Sequence, residues 1–395
     1  MTRAQHLYYR LKKVFALYPG VLRPTSAGFL DEHYRTRRAQ RSPVRAALDA
    51  LAGGVFHLWV PYRARSIARK YGLGRDWART AARIAHRRFA DPNDIALFRV
   101  ESEADLDGFI RRFEHADVSK RINPKNWAAG CVLADKRLFY ARCAELGLPH
   151  PPLLATIVDG AVAVREAPTV AALALKPVDG EGGSGFQLFD YPAADGDAAA
   201  FARFVRERFG RLPGAWLIQP KVSVHPDLRD LSLSALSTAR VSTMINERGE
   251  PEIVTSVLRF PSDPNSQVDN IKSGGLMAPI DLATGLLGPA CRGRWVGDVT
   301  EHPASGAAIA GRRLPFWEEA KALVLKAHRG GFADYNLVGW DVALTAEGPL
   351  LIEGNGKPCM IVAQRAGRRG VGHQRFGELI AHHLKHPPRP RAPRA

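Results

Sequence analysis

The chain has only four cysteines in 395 residues, with no C-x-x-C pair and no extracellular disulfide rhythm. Cys131, Cys143, Cys291 and Cys359 therefore read as free thiols in a reducing compartment, which points to the cytoplasm. Long apolar runs are missing too. No uncharged stretch reaches ~18 residues, which excludes an evident membrane-spanning helix. The nearest, 46–62, is interrupted by Asp49 and His57 and reads as a packed helix. Residues 1–20 are basic but lack an apolar run of about 7–15 residues, so no secretory leader is predicted.

Acidic residues are the other shortage. There are 39 Asp and Glu against 56 Lys and Arg, for a net charge of +17 and a pI near 10.1. The deficit is uneven. Residues 1–90 hold 19 basic and 4 acidic side chains, residues 357–395 hold 9 and 1, and the middle is slightly acidic. A polyanion- or membrane-facing surface and simple drift toward arginine both remain open. Because the charge sits outside the segments that carry chemistry, nucleic acid is not the expected partner.

What the chain does have is a hydrophobic content of 46%, enough for a sizeable core in two or three subdomains. No internal repeat is visible. Residues 1–121 form a basic, mainly helical region. Within it, Leu7, Leu11, Val14, Phe15 and Tyr18 recur at helical spacing beside Arg10, Lys12 and Lys13, a segment that packs on its own domain or lies on an anionic leaflet. Residues 122–222 mix helix and strand: Asp135 caps a helix carrying Phe139, Cys143 and Leu146, and strands are predicted at 173–177, 186–189 and 216–219 around a helix with Phe201, Phe204, Val205 and Phe209. Residues 223–386 alternate strands (239–245, 252–259) with a long glycine-rich loop (261–288), then a helix (316–328) and a hairpin. The tail, 387–395, is Pro- and Arg-rich and reads as disordered. Antiparallel hairpins among helices imply an α+β fold rather than a doubly wound parallel sheet.

The final hairpin, 339–355, carries three hard oxygen donors. With the turn centred on Glu347, Asp341 and Glu353 face each other about 5 Å apart on one face of the ladder, and Asn355 points the same way. Facing carboxylates repel unless a cation lies between them, and this set suits Mg²⁺ or Mn²⁺ rather than zinc. The alternative is a solvated acidic face, against which the flanking Val342, Leu344, Leu351 and Ile352 argue for burial.

Residues 179–185, Asp-Gly-Glu-Gly-Gly-Ser-Gly, contain G-x-G-x-x-G. A dinucleotide fold needs these glycines to open a helix, whereas 186–189 continue as strand. A protein kinase would need H-R-D and D-F-G motifs, which are absent. What remains is an ordinary flexible hairpin, or a phosphate-covering loop served by Lys176 on the strand before it.

The combination is more specific than its parts. The segments 123–127 (NPKNW), 175–185 (LKPVDGEGGSG), 237–243 (STARVST), 268–285 (VDNIKSGGLMAPIDLATG) and 339–355 (GWDVALTAEGPLLIEGN) resemble the ATP-grasp superfamily. The narrower likeness is to its sugar-transfer-associated proteins, related to α-L-glutamate ligases, over roughly 121–364. The resemblance implies two α+β subdomains gripping ATP between them. It implies that Lys136 and Lys176 contact the phosphates under a lid of Gly182, Gly183, Ser184 and Gly185. The backbone of Gln219, Lys221 and Val222 would hold the adenine, and Arg240, with Lys176, would stabilise the transferred phosphoryl group. Asp341, Glu353 and Asn355 would hold one or two Mg²⁺ ions. Many ATP-grasp enzymes carry a Glu at the adenine hinge where this chain has Gln219, which leaves His225 and Asp227 as candidates for the ribose.

The activity so implied is ligation of a carboxylate to an amine through an acylphosphate, on small-molecule acceptors linked to a sugar or cell-surface polysaccharide precursor. Arg259, Asn270 and Lys272 are the candidates for acceptor recognition. Two rivals stay open: a phosphotransferase acting on a hydroxyl or phosphate, and a non-catalytic, basic polyanion-binding protein. A weak anionic-membrane contact through the basic N-terminal segment would place the protein peripherally at the inner membrane face.

Overall fold

The computed structural model describes residues 28–128, 130–179, 183, 185–193, 196–233, 235–265, 274–292 and 297–387. The 7–18 segment, Gly182, Ser184, Asn270, Lys272 and tail residues 388–395 lie outside the described residues.

The described residues open with four α-helices, α1 (Asp31–Ala39), α2 (Pro43–Tyr71), α3 (Arg75–Arg88) and α4 (Pro92–Phe98). Helix α2 starts sharply because the Ser42 hydroxyl accepts from the Arg45 amide and Pro43 occupies the first turn, and it stops at Gly72, whose φ of 67° ends the helical path. Its inner face sets Phe56 and Val60 against Ile84 and Phe89. Among the described residues its outer face is exposed, so there the 46–62 helix is covered on one side. Helix α5 (Arg112–Ile122) follows. The N-terminal helices share a core with later elements: Leu30, Tyr34 and Val118 cluster with Met244, Val254, Leu337 and Phe376. In addition, the Ile110 backbone exchanges two hydrogen bonds, of 2.7 and 2.8 Å, with the buried Gln364 side chain.

Helix α6 (Lys136–Glu145) opens on Asp135, whose carboxylate accepts from the Arg137 amide at 2.8 Å. Next comes a five-stranded sheet of β1 (Ala155–Val158), β2 (Ala161–Val164), β3 (Ala172–Pro177), β4 (Gln187–Asp190) and β5 (Ala215–Pro220), in the order β2-β1-β5-β3-β4. Helix α7 (Ala198–Phe209) buries Phe201, Val205 and Phe209, at helical spacing, against Leu173, Leu175 and Ile218.

After the short α8 (Arg229–Ser232) comes a six-stranded sheet. It comprises β6 (Thr238–Ile245), β7 (Pro251–Phe260), β8 (Leu276–Pro279), β9 (Cys291–Arg292), β10 (Leu337–Thr345) and β11 (Gly348–Asn355), in the order β11-β10-β6-β7-β8-β9. Helix α9 (Trp317–Gly331) covers one face, and α10 (Met360–Gly367) and α11 (Arg375–Lys385) close the chain. Among the described residues all strand pairings are antiparallel. Every residue of β10 is buried, so both its faces are covered. Segment 261–288 is not loop throughout, because 276–279 forms β8 and pairs with β7. Four residues after a glycine pair give too short a run for periodicity to show.

Candidate active site

The final hairpin reaches the expected pairing by a different route. Its turn is the two residues Ala346 and Glu347, with Thr345 opposite Gly348. A tight turn of that kind alone would put Asp341 opposite Ile352. A bulge between Asp341 and Val342 on the ladder absorbs the offset, so that Asp341 faces Glu353. On its other side Asp341 faces Arg240 of β6. The result is a row of charged side chains across three strands, Arg240, Asp341 and Glu353, on one face of the sheet.

Arg240 grips Asp341 with both arms of its guanidinium: Nε donates to Oδ1, and Nη2 to Oδ2 at 2.9 Å. Arg259, one strand further on, donates from Nη2 to the same Oδ2 at 3.0 Å. The structure thus places Arg259 in the charged row, beside Arg240. Burial alone would raise the Asp341 pKa. The charges and hydrogen bonds of the two arginines outweigh burial and hold it below the ordinary carboxylate value. Gly339 is what lets Arg240 stretch across, since a Cβ there would lie 2.6 Å from Pro358 and 3.2 Å from the Arg240 Cδ.

Glu353 is treated differently. Its side chain is 32% exposed, and Lys136 Nζ stands 3.6 Å from its Oε1. Burial raises its pKa, the Lys136 charge opposes that, and the facing Asp341 adds to the rise. Lys136 is the first residue of α6 and also donates to the Val178 carbonyl at 3.4 Å. Lys176, from β3 of the other sheet, completes the group. Its ammonium donates to Gln219 Oε1 at 3.2 Å, while Gln219 Nε2 donates to the Pro151 carbonyl at 2.9 Å. Burial pushes the Lys176 pKa down to about 8, with Glu353 opposing the shift and Lys136 adding to it. Lys176 from the first sheet and Lys136 from α6, a helix packed on the second sheet, therefore both act on Glu353.

The donors present fit a hard divalent cation. Asp341, Glu353 and Asn355 offer carboxylate and amide oxygens only. Asp341 Oδ2 accepts from both arginines, while Oδ1 keeps a second lone pair beyond its one arginine bond, as does Asn355 Oδ1, which accepts from the Lys357 amide at 2.8 Å. Among the described residues, no cluster of three or more His, Cys, Asp and Glu side chains forms a metal site. The third protein oxygen here is therefore an amide.

Around this centre the other candidates fall as follows. Gly183 and Gly185 stand at φ of 79° and 78°, backbone that glycine favours, and the Phe186 amide donates to the Gly183 carbonyl at 3.2 Å. In the hinge, Gln219 is fully buried and serves Lys176 rather than lying open. The Lys221 amide already donates to Ala172 at 2.9 Å, and Val222 follows the end of β5. His225 is anchored by its amide to the Leu344 carbonyl at 2.7 Å, with Asp227 3.6 Å from its ring. All four cysteines are free thiols.

Two contributors escaped the sequence reading. Tyr140, on α6, donates to the Ile352 carbonyl at 2.7 Å and so ties the helix bearing Lys136 to the bulged strand bearing Glu353. Asn123 is buried and donates to the carbonyls of Leu337 and Gly356, both at 2.8 Å, bracketing the hairpin. The NPKNW segment was visible, but nothing in its spacing announced a brace.

Compared with known proteins, the chain is similar in fold to D-alanyl-alanine synthetase A from Vibrio cholerae O1 biovar eltor, at 15% identity over 75% of this chain and 74% of that one, with a TM-score of 0.40. It is also similar to D-alanine–D-alanine ligase from Bacillus anthracis, at 11% identity over 65% and 68%, with a TM-score of 0.35. The ATP-grasp ligase PsnB, solved with a precursor variant, Mg and ADP, matches at 13% identity over 64% and 60%, with a TM-score of 0.34. No curated protein matches the chain. A family model described as sugar-transfer associated ATP-grasp matches residues 114–377, a span that contains every charged residue of the row, and the chain belongs to that family.

Proposed function

We propose that this protein is an ATP- and Mg²⁺-dependent carboxylate–amine ligase that works through an acylphosphate. The observation that supports it is the convergence of Lys136, Lys176, Arg240 and Arg259 on the facing pair Asp341 and Glu353, where the two sheets meet. In-line phosphoryl transfer needs little beyond such positioned charge.

Lys136 and Lys176 present ammonium groups to the β- and γ-phosphates. Arg240 turns from Asp341 toward the phosphoryl group as charge grows on its equatorial oxygens, and Arg259 keeps Asp341 anionic while Arg240 is engaged. Mg²⁺ would supply positive charge to offset that of the phosphates. Asp341, Glu353 and the Asn355 amide oxygen would hold it. The substrate carboxylate attacks the γ-phosphorus and ADP leaves. An amine then attacks the acyl carbon, inorganic phosphate departs, and the amine's proton passes to solvent or phosphate. No step requires a protein nucleophile. The family's description, sugar-transfer associated, supports acceptors linked to a sugar or polysaccharide precursor, and Asn270 and Lys272 are proposed, with Arg259, to meet the acceptor.

A screen of carboxylates crossed with amines, read by phosphate release in the presence of ATP and Mg²⁺, tests the reading. Release that needs both acceptors, and a hydroxamate when hydroxylamine replaces the amine, is the expected result. A stable phosphorylated product from a single acceptor would make the protein a kinase instead.

A further inference from the structure

Helix α2 is apolar on both sides. Phe56, Val60, Ala64 and Ile67 face inward and are buried. On the opposite side Val44, Leu48, Leu51, Val55, Leu58 and Tyr62 form one exposed row, about 27 Å long. Leu51 and Leu58 are 68% and 83% exposed. A helix with two apolar faces belongs where both are covered, and scattered surface leucines do not line up at i, i+4, i+7 by accident of composition.

Charge decides what covers it. Arg69 continues the row by further turns, Arg65 flanks it, and both are exposed. The helix has a single acidic residue, Asp49, which is buried against Arg41 and Arg45. A second copy laid antiparallel on this face would set Arg65 and Arg69 against the other helix's N-terminal end, where the exposed charge is Arg45 and the one carboxylate, Asp49, is buried. Residues 1–27 fit no better as a cover, since they carry five Lys and Arg and no Asp or Glu. An anionic bilayer accepts both features. Its acyl boundary takes the leucines, and its headgroup phosphates take the arginines. Among the described residues no helix is long and apolar enough to cross a membrane, which makes an in-plane contact the geometry available.

We propose that the outer face of α2 is a docking surface for an anionic lipid bilayer, with the helix lying in the interface. The test is flotation of the full chain with vesicles of equal parts phosphatidylglycerol and phosphatidylcholine, and with pure phosphatidylcholine. Binding is expected with the anionic vesicles only. Leu51→Glu with Leu58→Glu should weaken it at least tenfold, and Arg65→Glu with Arg69→Glu should weaken it severalfold. Both pairs are exposed, so melting temperature and ATP turnover in solution should match the parent and separate lost docking from lost folding. Anionic-vesicle binding that survives the leucine substitutions, or no vesicle binding at all, overturns the proposal. So does a concentration-dependent dimer abolished by the leucine variant without any vesicle binding, which would identify a second copy as the cover.

Discussion

Trp340 and Asp341 are neighbours on β10 and point to opposite faces, and the two faces satisfy their polar groups in different ways. Behind the strand, the Trp340 indole N–H donates to the Thr243 hydroxyl at 2.7 Å, and that hydroxyl donates to His328 Nδ1 at 2.7 Å. His328 Nε2 then donates to the Tyr335 carbonyl at 2.8 Å. Since indole only donates and a carbonyl only accepts, each proton in this buried chain has one place to go, and His328 must be neutral with its proton on Nε2. Nothing is left over for a ligand. In front, Asp341 is held by arginines from two other strands, and Glu353 has its lysine at a looser 3.6 Å. A second anion can partner the same guanidinium and ammonium groups, since each carries several donors. Neutral bonds fix the strand, while the ionic ones on the opposite face are those that the proposed phosphate contacts would draw on.

The comparison breaks most visibly on the back face. Trp340 is fully buried, so Trp340→Ala should cost about 3–5 kcal/mol of stability, read by denaturant unfolding. Glu353→Gln should do the reverse. It removes a carboxylate whose pKa is raised by burial, so the folded state loses little and stability should stay within about 1 kcal/mol. Metal-dependent turnover should nonetheless fall by about 10²–10³, the scale for removing one preorganised charge-stabilising group. A Glu353→Gln protein with parental turnover, or a Trp340→Ala protein with parental stability, would erase the distinction between the faces.

A smaller effect comes from pH. Burial lowers the His328 pKa to about 4, below the ordinary 6.5. The unfolded chain therefore binds a proton between those values that the folded chain refuses. Stability from the neutral imidazole is intact above about pH 6.5 and is lost as pH falls toward 4, up to about 3 kcal/mol. Unfolding free energies at pH 7, 5.5 and 4.5 should show this slope, and His328→Gln should flatten it. An unchanged slope would transfer the effect to His383, whose pKa burial also lowers.

Much of the front face was legible in the sequence, and little of the back. Two-residue alternation through 239–245 and 252–259 found β6 and β7, and hard oxygens at 341, 353 and 355 found the hairpin. Periodicity shows which residues share a face. It does not show which strands become neighbours: Arg259 reaches Asp341 across 82 residues, and Trp340 reaches Thr243 across 97. The bulge that re-aims Glu353 was equally silent, because a turn centred on Glu347 gives the same pairing without it. The outer row of α2 was read as packed, since a sequence cannot say that only one side of a doubly apolar helix finds a partner. Trp340, Thr243 and His328 carry no motif because neutral buried networks use ordinary residues.

Lys176 sharpens the contrast, because its charge is set on the front face by what binds there. Burial holds its pKa near 8, so at pH 8 about half of the ligand-free molecules carry a neutral amine. A triphosphate alongside favours the ammonium form and moves the pKa back up. Nucleotide binding at pH 8 should then take up about half a proton, less at pH 7, and affinity should decline as pH rises past 8. Calorimetric titration with ATP and Mg²⁺ in buffers of different ionisation enthalpy measures the uptake directly. Lys176→Met should abolish that uptake and weaken binding by about 1.5–3 kcal/mol, the worth of a charge-assisted hydrogen bond. Should the variant take up the same fraction of a proton, the amine meeting the phosphates is another one, and Lys176 is left with the role of steadying Gln219 in β5.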